Sequence, residues 1–102
     1  MLFVFAVLAA LAAGAAIRVD DADRPRLRAD AVQILREGAA ERAERQLEGA
    51  AVAPQNAEAL VDRLHKRALE RYTSLAADED RQLAFVASFD RDVRRRRKRQ
   101  GV

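Results

Sequence analysis

Residues 25–47, PRLRADAVQILREGAAERAERQL, decide the fold class, because their apolar side chains recur at every third or fourth position. This spacing predicts an amphipathic helix that starts with Pro25 in its first turn and stops near Gly49. Gly38 is expected to weaken the middle of this helix, since glycine has a low helix propensity. The apolar stripe consists of Leu27, Ala31, Ile34, Leu35, Ala39, Ala43 and Leu47.

Two further stretches have the same helical spacing. We expect Asn56 to cap a second helix, whose apolar stripe runs from Leu60 to Leu75, and Asp78 to cap a third. The third helix is expected to run toward the arginine tract, with ion pairs Asp90–Arg94 and Asp92–Arg96. Its stripe contains Leu83, Val86, Phe89 and Val93. No segment alternates as a strand would, so the predicted fold class is all-α.

Residues 1–17, MLFVFAVLAALAAGAAI, contain no charged or polar side chain. A helix of this length rises roughly 25 Å, which is close to the lower limit for crossing a hydrocarbon core of about 30 Å. Val19 and the aliphatic stem of Arg18 can extend it, because a border arginine places its guanidinium among the head groups. The sequence therefore predicts a single transmembrane anchor over residues 1–19.

A cleaved secretory signal is the alternative interpretation, since residues 13–15 have the small-x-small pattern of a cleavage site. For a retained anchor, the arginines that follow it predict a cytoplasmic helical domain and a membrane localisation. Small residues within the span can allow another transmembrane helix to pack closely. The candidate helix-packing residues are Ala9, Ala10, Ala13 and Gly14.

The remaining residues are predicted to form a polar hinge (20–24), a small helical domain (25–93) and a basic tail (94–102). The tail contains six consecutive basic residues, Arg94, Arg95, Arg96, Arg97, Lys98 and Arg99. Three interpretations fit such a run: it binds anionic lipid head groups, it binds nucleic acid, or it docks on an acidic patch of a protein partner or simply enforces membrane topology. No aromatic residue interrupts the run, which disfavours base stacking.

The sequence contains no catalytic signature. His65 is the single histidine, there is no cysteine, and neither Ser74 nor Ser88 lies in a nucleophile motif. We therefore predict no catalytic residue, no metal site and no cofactor. The abundance of arginine and alanine over lysine is typical of a GC-rich bacterial genome.

These observations favour a small accessory subunit of a larger membrane assembly, whose partners are other membrane protein subunits and anionic lipids. One alternative is a membrane-tethered protein that contacts nucleic acid, as in a membrane-containing virus. The other is a secreted helical protein released by signal cleavage.

Overall fold

The computed structural model describes residues 18–101, which form four α-helices and no strand. A 3-10 turn at Asp21–Asp23 comes first. It is followed by α1 (Arg24–Ala29), α2 (Ala31–Gln46), α3 (Pro54–Ser74) and α4 (Glu79–Arg99). The all-α prediction is confirmed for these residues.

The predicted transmembrane anchor lies almost entirely outside the described residues. Among residues 18–101, the structure contains no helix with the length and apolar character needed to cross a membrane. The described part is thus the charged helical domain that follows the apolar segment.

The first predicted helix is divided in two at Asp30. This residue has φ −103° and ψ 13°, outside regular helical geometry. Backbone hydrogen bonds nevertheless continue across it, because the amide of Asp30 donates to Arg26 and the amide of Ile34 donates to Asp30, both at 2.9 Å. The helix ends at Gln46, shortly before Gly49, whose φ of +79° suits glycine.

α2 is the central helix, because α3 packs against it on one side and α4 on another, whereas α3 and α4 share few contacts. The apolar stripes predicted for the first and third helices are buried, apart from Leu47, which is only half-buried. α3 contributes less, since Ala68 is its one fully buried residue. The buried apolar residues are Leu27, Ala31, Ile34, Leu35, Ala39, Ala43, Ala68, Leu83, Val86, Phe89 and Val93.

Gly38 lies where α2 packs tightly against Phe89 of α4. A Cβ atom added to it would lie 2.8 Å from Cδ2 of Phe89 and 2.9 Å from its Cβ. The Phe89 ring is also 5.1 Å from that of Phe85, and the Arg42 guanidinium stacks 3.7 Å from its centroid. Gly38 therefore positions α4, a role that the low helix propensity of glycine did not indicate.

One predicted helix cap is confirmed and the other is wrong. The Asp78 carboxylate accepts a hydrogen bond from the Arg81 amide at 3.2 Å, as an N-cap of α4 should. Asn56 lies inside the first turn of α3, because Pro54 begins the helix and Ala53 occupies the capping position.

The segment predicted as a polar hinge is an ordered turn. The Asp23 amide donates to the Asp20 carbonyl at 2.9 Å, and Arg24 binds the Asp80 carboxylate at 2.7 Å. Val19, just before this turn, packs against the core. The predicted basic tail also has regular structure, because α4 continues without a break through Arg99.

Candidate functional site

The arginine tract occupies the last turns of α4, beside α1 and α2. Because a helix turns 100° per residue, consecutive arginines in this tract point in different directions. Four of these guanidinium groups, half-buried or exposed, bind acidic residues of the same chain. These paired residues are Arg94, Arg96, Arg97 and Arg99.

Glu41 of α2 is the most buried carboxylate of this contact, with no exposed surface. Arg99 binds both of its oxygens, at 2.6 and 2.7 Å, and also reaches Glu44 at 3.0 Å. The hydrogen bonds from Arg99 hold the pKa of Glu41 below its usual value, although burial opposes this shift. The last turn of α4 is thereby fastened to α2.

Asp92 forms a second link between the two helices. Its carboxylate accepts from Arg42 and Arg45, each at 2.7 Å, and its side chain is 8% exposed. The predicted Asp92–Arg96 pair does not form, because Arg96 lies 3.2 Å from Glu44. Arg42 therefore both stacks on the core aromatic ring and neutralises a buried acid.

Asp90 links α4 to α1. Arg26 donates to both of its oxygens, at 3.1 and 2.9 Å, and the predicted pair with Arg94 is present at 3.1 Å. Burial opposes ionisation of Asp90, but the arginine contacts outweigh it and lower the pKa. Ion pairs with these acidic residues neutralise part of the positive charge of α4.

Three basic residues of α4 remain on the outer side of the helix: Arg91, Arg95 and Lys98. They are exposed, and none forms an ion pair within residues 18–101. Their i, i+4, i+7 spacing places them in one row about 10 Å long, opposite the helix side that carries Phe89 and Val93. We call this row the outer face of α4.

The outer face begins beside the point where the apolar segment joins the domain. A small cavity of about 230 Å³ brings Arg18 and Val19 together with Arg91 and Arg94. Its other lining residues are Asp20, Asp23, Leu27, Ala87 and Asp90. The junction and the unpaired cations of α4 therefore share one edge of the molecule.

An apolar cleft of about 480 Å³ opens over α2, between the first turns of α3 and the last turns of α4. Small and branched side chains form it, with Arg36 and Arg96 at its rim. Val52 belongs to this cleft and is 37% exposed. The apolar and alanine residues of the cleft are Ala40, Ala43, Leu47, Ala50, Val52, Ala57 and Val61.

His65 of α3 lines a separate cavity with Arg36 and Asp62, which bind each other at 2.6 Å. Burial lowers the pKa of His65, the charge of Arg36 lowers it further, and its Nε2 atom has no hydrogen-bond partner in the described structure. In residues 18–101, no group of three or more histidine or acidic side chains is arranged to hold a metal ion.

The structure separates the predicted contact residues into two groups. Arg95 and Lys98 lie on the outer face, whereas the other four bind acids of the same chain. Sequence reasoning omitted Arg91, although its spacing from Arg95 and Lys98 was a usable signal. The predicted helix-packing residues, Ala9, Ala10, Ala13 and Gly14, lie outside the described residues.

Comparisons with protein-family models, curated proteins and solved structures find no match for this chain.

Proposed function

We propose that this protein is a non-catalytic accessory subunit of a membrane assembly. In this proposal, residues 1–19 hold the helical domain at the membrane. Other membrane subunits pack against the small residues of this anchor, Ala9, Ala10, Ala13 and Gly14. The domain provides a rigid charged surface at the membrane boundary, in the cytoplasm.

The observation that carries the proposal is the ordered junction between the apolar segment and the domain. Val19 packs against the core, and a 3-10 turn leads directly into α1. Arg24 then binds Glu79 and Asp80, at the start of α4, at 3.7 and 2.7 Å. An ordered junction over residues 18–24 would let the domain hold a defined position at the membrane, as a subunit that positions a partner would require.

A membrane-tethered nucleic-acid contact is the second candidate. It is favoured by four exposed basic residues of α3 that form no ion pair within the described part of the chain: Arg63, Lys66, Arg67 and Arg71. Binding of this kind would weaken steeply with salt, since phosphate contacts release counterions. A steep dependence that is lost when these four residues become Gln would favour this candidate.

The test of the leading proposal uses full-length protein purified from its native membranes. Replacing Ala10 and Gly14 with Leu should retain membrane insertion, because leucine is at least as apolar, but should reduce co-purification of partner subunits. The matched control, Ala12→Leu with Ala15→Leu, adds the same kind of bulk to the opposite side of a helix and should not.

Two outcomes would overturn the proposal. One is release of the unmodified chain from membranes by alkaline carbonate. The other is an equal loss of partners in both variants. Mass spectrometry of the mature amino terminus separates the retained anchor from the secreted alternative, because signal cleavage would remove the apolar segment.

A further inference from the structure

We propose that the outer face of α4, formed by Arg91, Arg95 and Lys98, lies on an anionic lipid surface. This inference deepens the proposed function and rests on it, because it assumes that residues 1–19 attach the chain to a membrane. It assigns lipid contact to the side of α4 that turns away from the core. The arginines bound to α2 serve the fold.

The charge on this face is available to a ligand because the two buried carboxylates of α4 are bound to other arginines. Asp90 binds Arg26 and Arg94, and Asp92 binds Arg42 and Arg45. Within residues 18–101 none of the three outer-face cations is in an ion pair. Asp20 and Asp23 line the cavity beside Arg91 and offset part of the positive charge at that end, whereas Arg95 and Lys98 lie farther along the helix. A single row of basic side chains on a straight helix suits a flat surface with many mobile negative groups.

The position of the junction between the apolar segment and the domain indicates that the flat anionic surface is a membrane. Arg18 and Val19 share a cavity with Arg91, at the amino-terminal end of the outer face. A membrane that holds residues 1–17 would therefore lie within reach of Arg91. Arg95 and Lys98 follow it along the helix at about 6 and 10 Å, respectively.

Nucleic acid suits this face less well. The row carries no aromatic side chain for base stacking. It also lies at the edge where the apolar segment joins the domain, which a membrane would shield from a large polyanion. Each basic residue near an anionic bilayer favours contact by about fivefold, so removing three should lower the ratio of docked to undocked domains by about 100-fold.

The absence of cysteine allows a direct test on the full-length chain. A nitroxide spin label is attached at Ser88→Cys, a half-buried position one turn before Arg91 on α4, or at Ala59→Cys, an exposed position of α3. The protein is reconstituted into phosphatidylcholine vesicles with and without phosphatidylglycerol. Collision of each label with a water-soluble nickel chelate then reports its exposure.

We expect phosphatidylglycerol to reduce nickel access severalfold at residue 88 and to leave residue 59 unchanged. High salt should reverse the effect, because at about 1 M the screening length falls to about 3 Å. Two variants with equal charge loss decide whether the face matters. The outer-face variant carries Arg91→Gln, Arg95→Gln and Lys98→Gln; its control carries Arg63→Gln, Lys66→Gln and Arg67→Gln.

The inference holds if only the outer-face variant restores nickel access in anionic vesicles. Equal effects of both variants would overturn it in favour of net charge, and so would protection that does not depend on phosphatidylglycerol. Loss of DNA binding by the outer-face variant, with lipid protection unchanged, would reassign the face to nucleic acid. Release of the unmodified chain by alkaline carbonate would instead overturn the proposed function, in which residues 1–19 anchor the chain. The two failures are distinguishable, because the difference in nickel access between residues 88 and 59 reports only on contact of α4 with lipid.

Discussion

At the scale of single residues, buried charge explains why the arginines of α4 are not interchangeable. A carboxylate without exposed surface, such as Glu41, is costly unless cations and hydrogen bonds compensate it. Arg99 supplies both, and Arg42 and Arg45 do the same for Asp92. Glutamine at Arg99 would leave the buried Glu41 without its charged partner, whereas glutamine at Arg95 would leave no buried acid unpaired.

The Gly38 contact gives a test at the same scale. Alanine normally stabilises an exposed helical position relative to glycine by about 1 kcal/mol. At position 38, however, the added Cβ would also lie 3.0 Å from the Phe89 carbonyl oxygen, so the backbone of α4 must move. We expect Gly38→Ala to lower the free energy of unfolding by about 1–2 kcal/mol through overpacking.

Urea denaturation of the full chain in nonionic detergent, followed by far-UV circular dichroism, measures this effect. The control compares Gln33→Ala with Gln33→Gly at an exposed position of the same helix, where alanine should be the more stable. If alanine is favoured to the same extent at positions 33 and 38, the close approach of Gly38 to Phe89 does not constrain the fold.

At the scale of secondary structure, the sequence predicted the features that depend on residues a few positions apart in the chain. The stripes containing Leu35 and Leu83 were recognised because burial on a helix repeats every three to four residues. The Asp78 cap and the Asp90–Arg94 pair were also local. The break at Asp30 was missed, although Asp30 is the one aspartate of residues 25–47 and aspartate is less favourable inside a helix than the arginine, glutamine and glutamate at the other polar positions.

The candidate site was only partly predictable, for the same reason. Arg99 and Glu41 are 58 residues apart, and Arg42 and Asp92 are 50 apart. No helical periodicity connects such positions, so the pairing became visible only when α4 was placed against α2. The sequence thus identified the positive charge of the tract, but not which of its arginines form ion pairs with acidic residues of the same chain.

The division of the tract predicts how the end of α4 responds to charge removal. Changing Arg96, Arg97 and Arg99 to Gln should speed amide hydrogen exchange in residues 94–99, because these side chains hold the last turns against α2. Residues 83–93 should keep their protection, since Leu83 and its apolar neighbours hold them.

Hydrogen exchange with mass spectrometry measures both segments in the full chain. The outer-face variant of Arg91, Arg95 and Lys98 removes the same charge from the same helix and should leave residues 94–99 as protected as before. Equal loosening in the two variants would mean that helix charge, rather than the ion pairs with α2, controls the carboxyl-terminal end.

At the scale of the whole molecule, the domain depends on α2 as its central element. α3 and α4 meet sparsely, with one hydrogen bond of 3.0 Å between Gln82 and the Tyr72 carbonyl near the turn that joins them. The contact between α2 and α4 combines an apolar half around Phe89 with a charged half around Glu41. Stability of the domain should therefore depend on the ionisation of a few buried acids.

This dependence predicts loss of stability in acid. The folded state lowers the pKa of Glu41, chiefly through its hydrogen bonds from Arg99. For Asp90, burial raises the pKa, but the hydrogen bonds from Arg26 and the charges of the nearby arginines together outweigh burial and lower it. A lowered pKa contributes stability that is complete above the unfolded value, about 4.3 for glutamate. That contribution declines as the pH falls through the folded pKa, because the unfolded chain takes up the proton first.

Unfolding free energies measured between about pH 7 and pH 2 should therefore be nearly constant above about pH 5.5 and fall below about pH 4.5. Glu41→Gln should lower stability at neutral pH, since Arg99 loses a charged partner, and should make the acid decline shallower. Glu48→Gln removes an exposed carboxylate that forms no ion pair within the described residues, so it should keep the slope of the unmodified protein. Identical slopes in the two variants would show that the buried pair between α2 and α4 does not set the acid sensitivity of the fold.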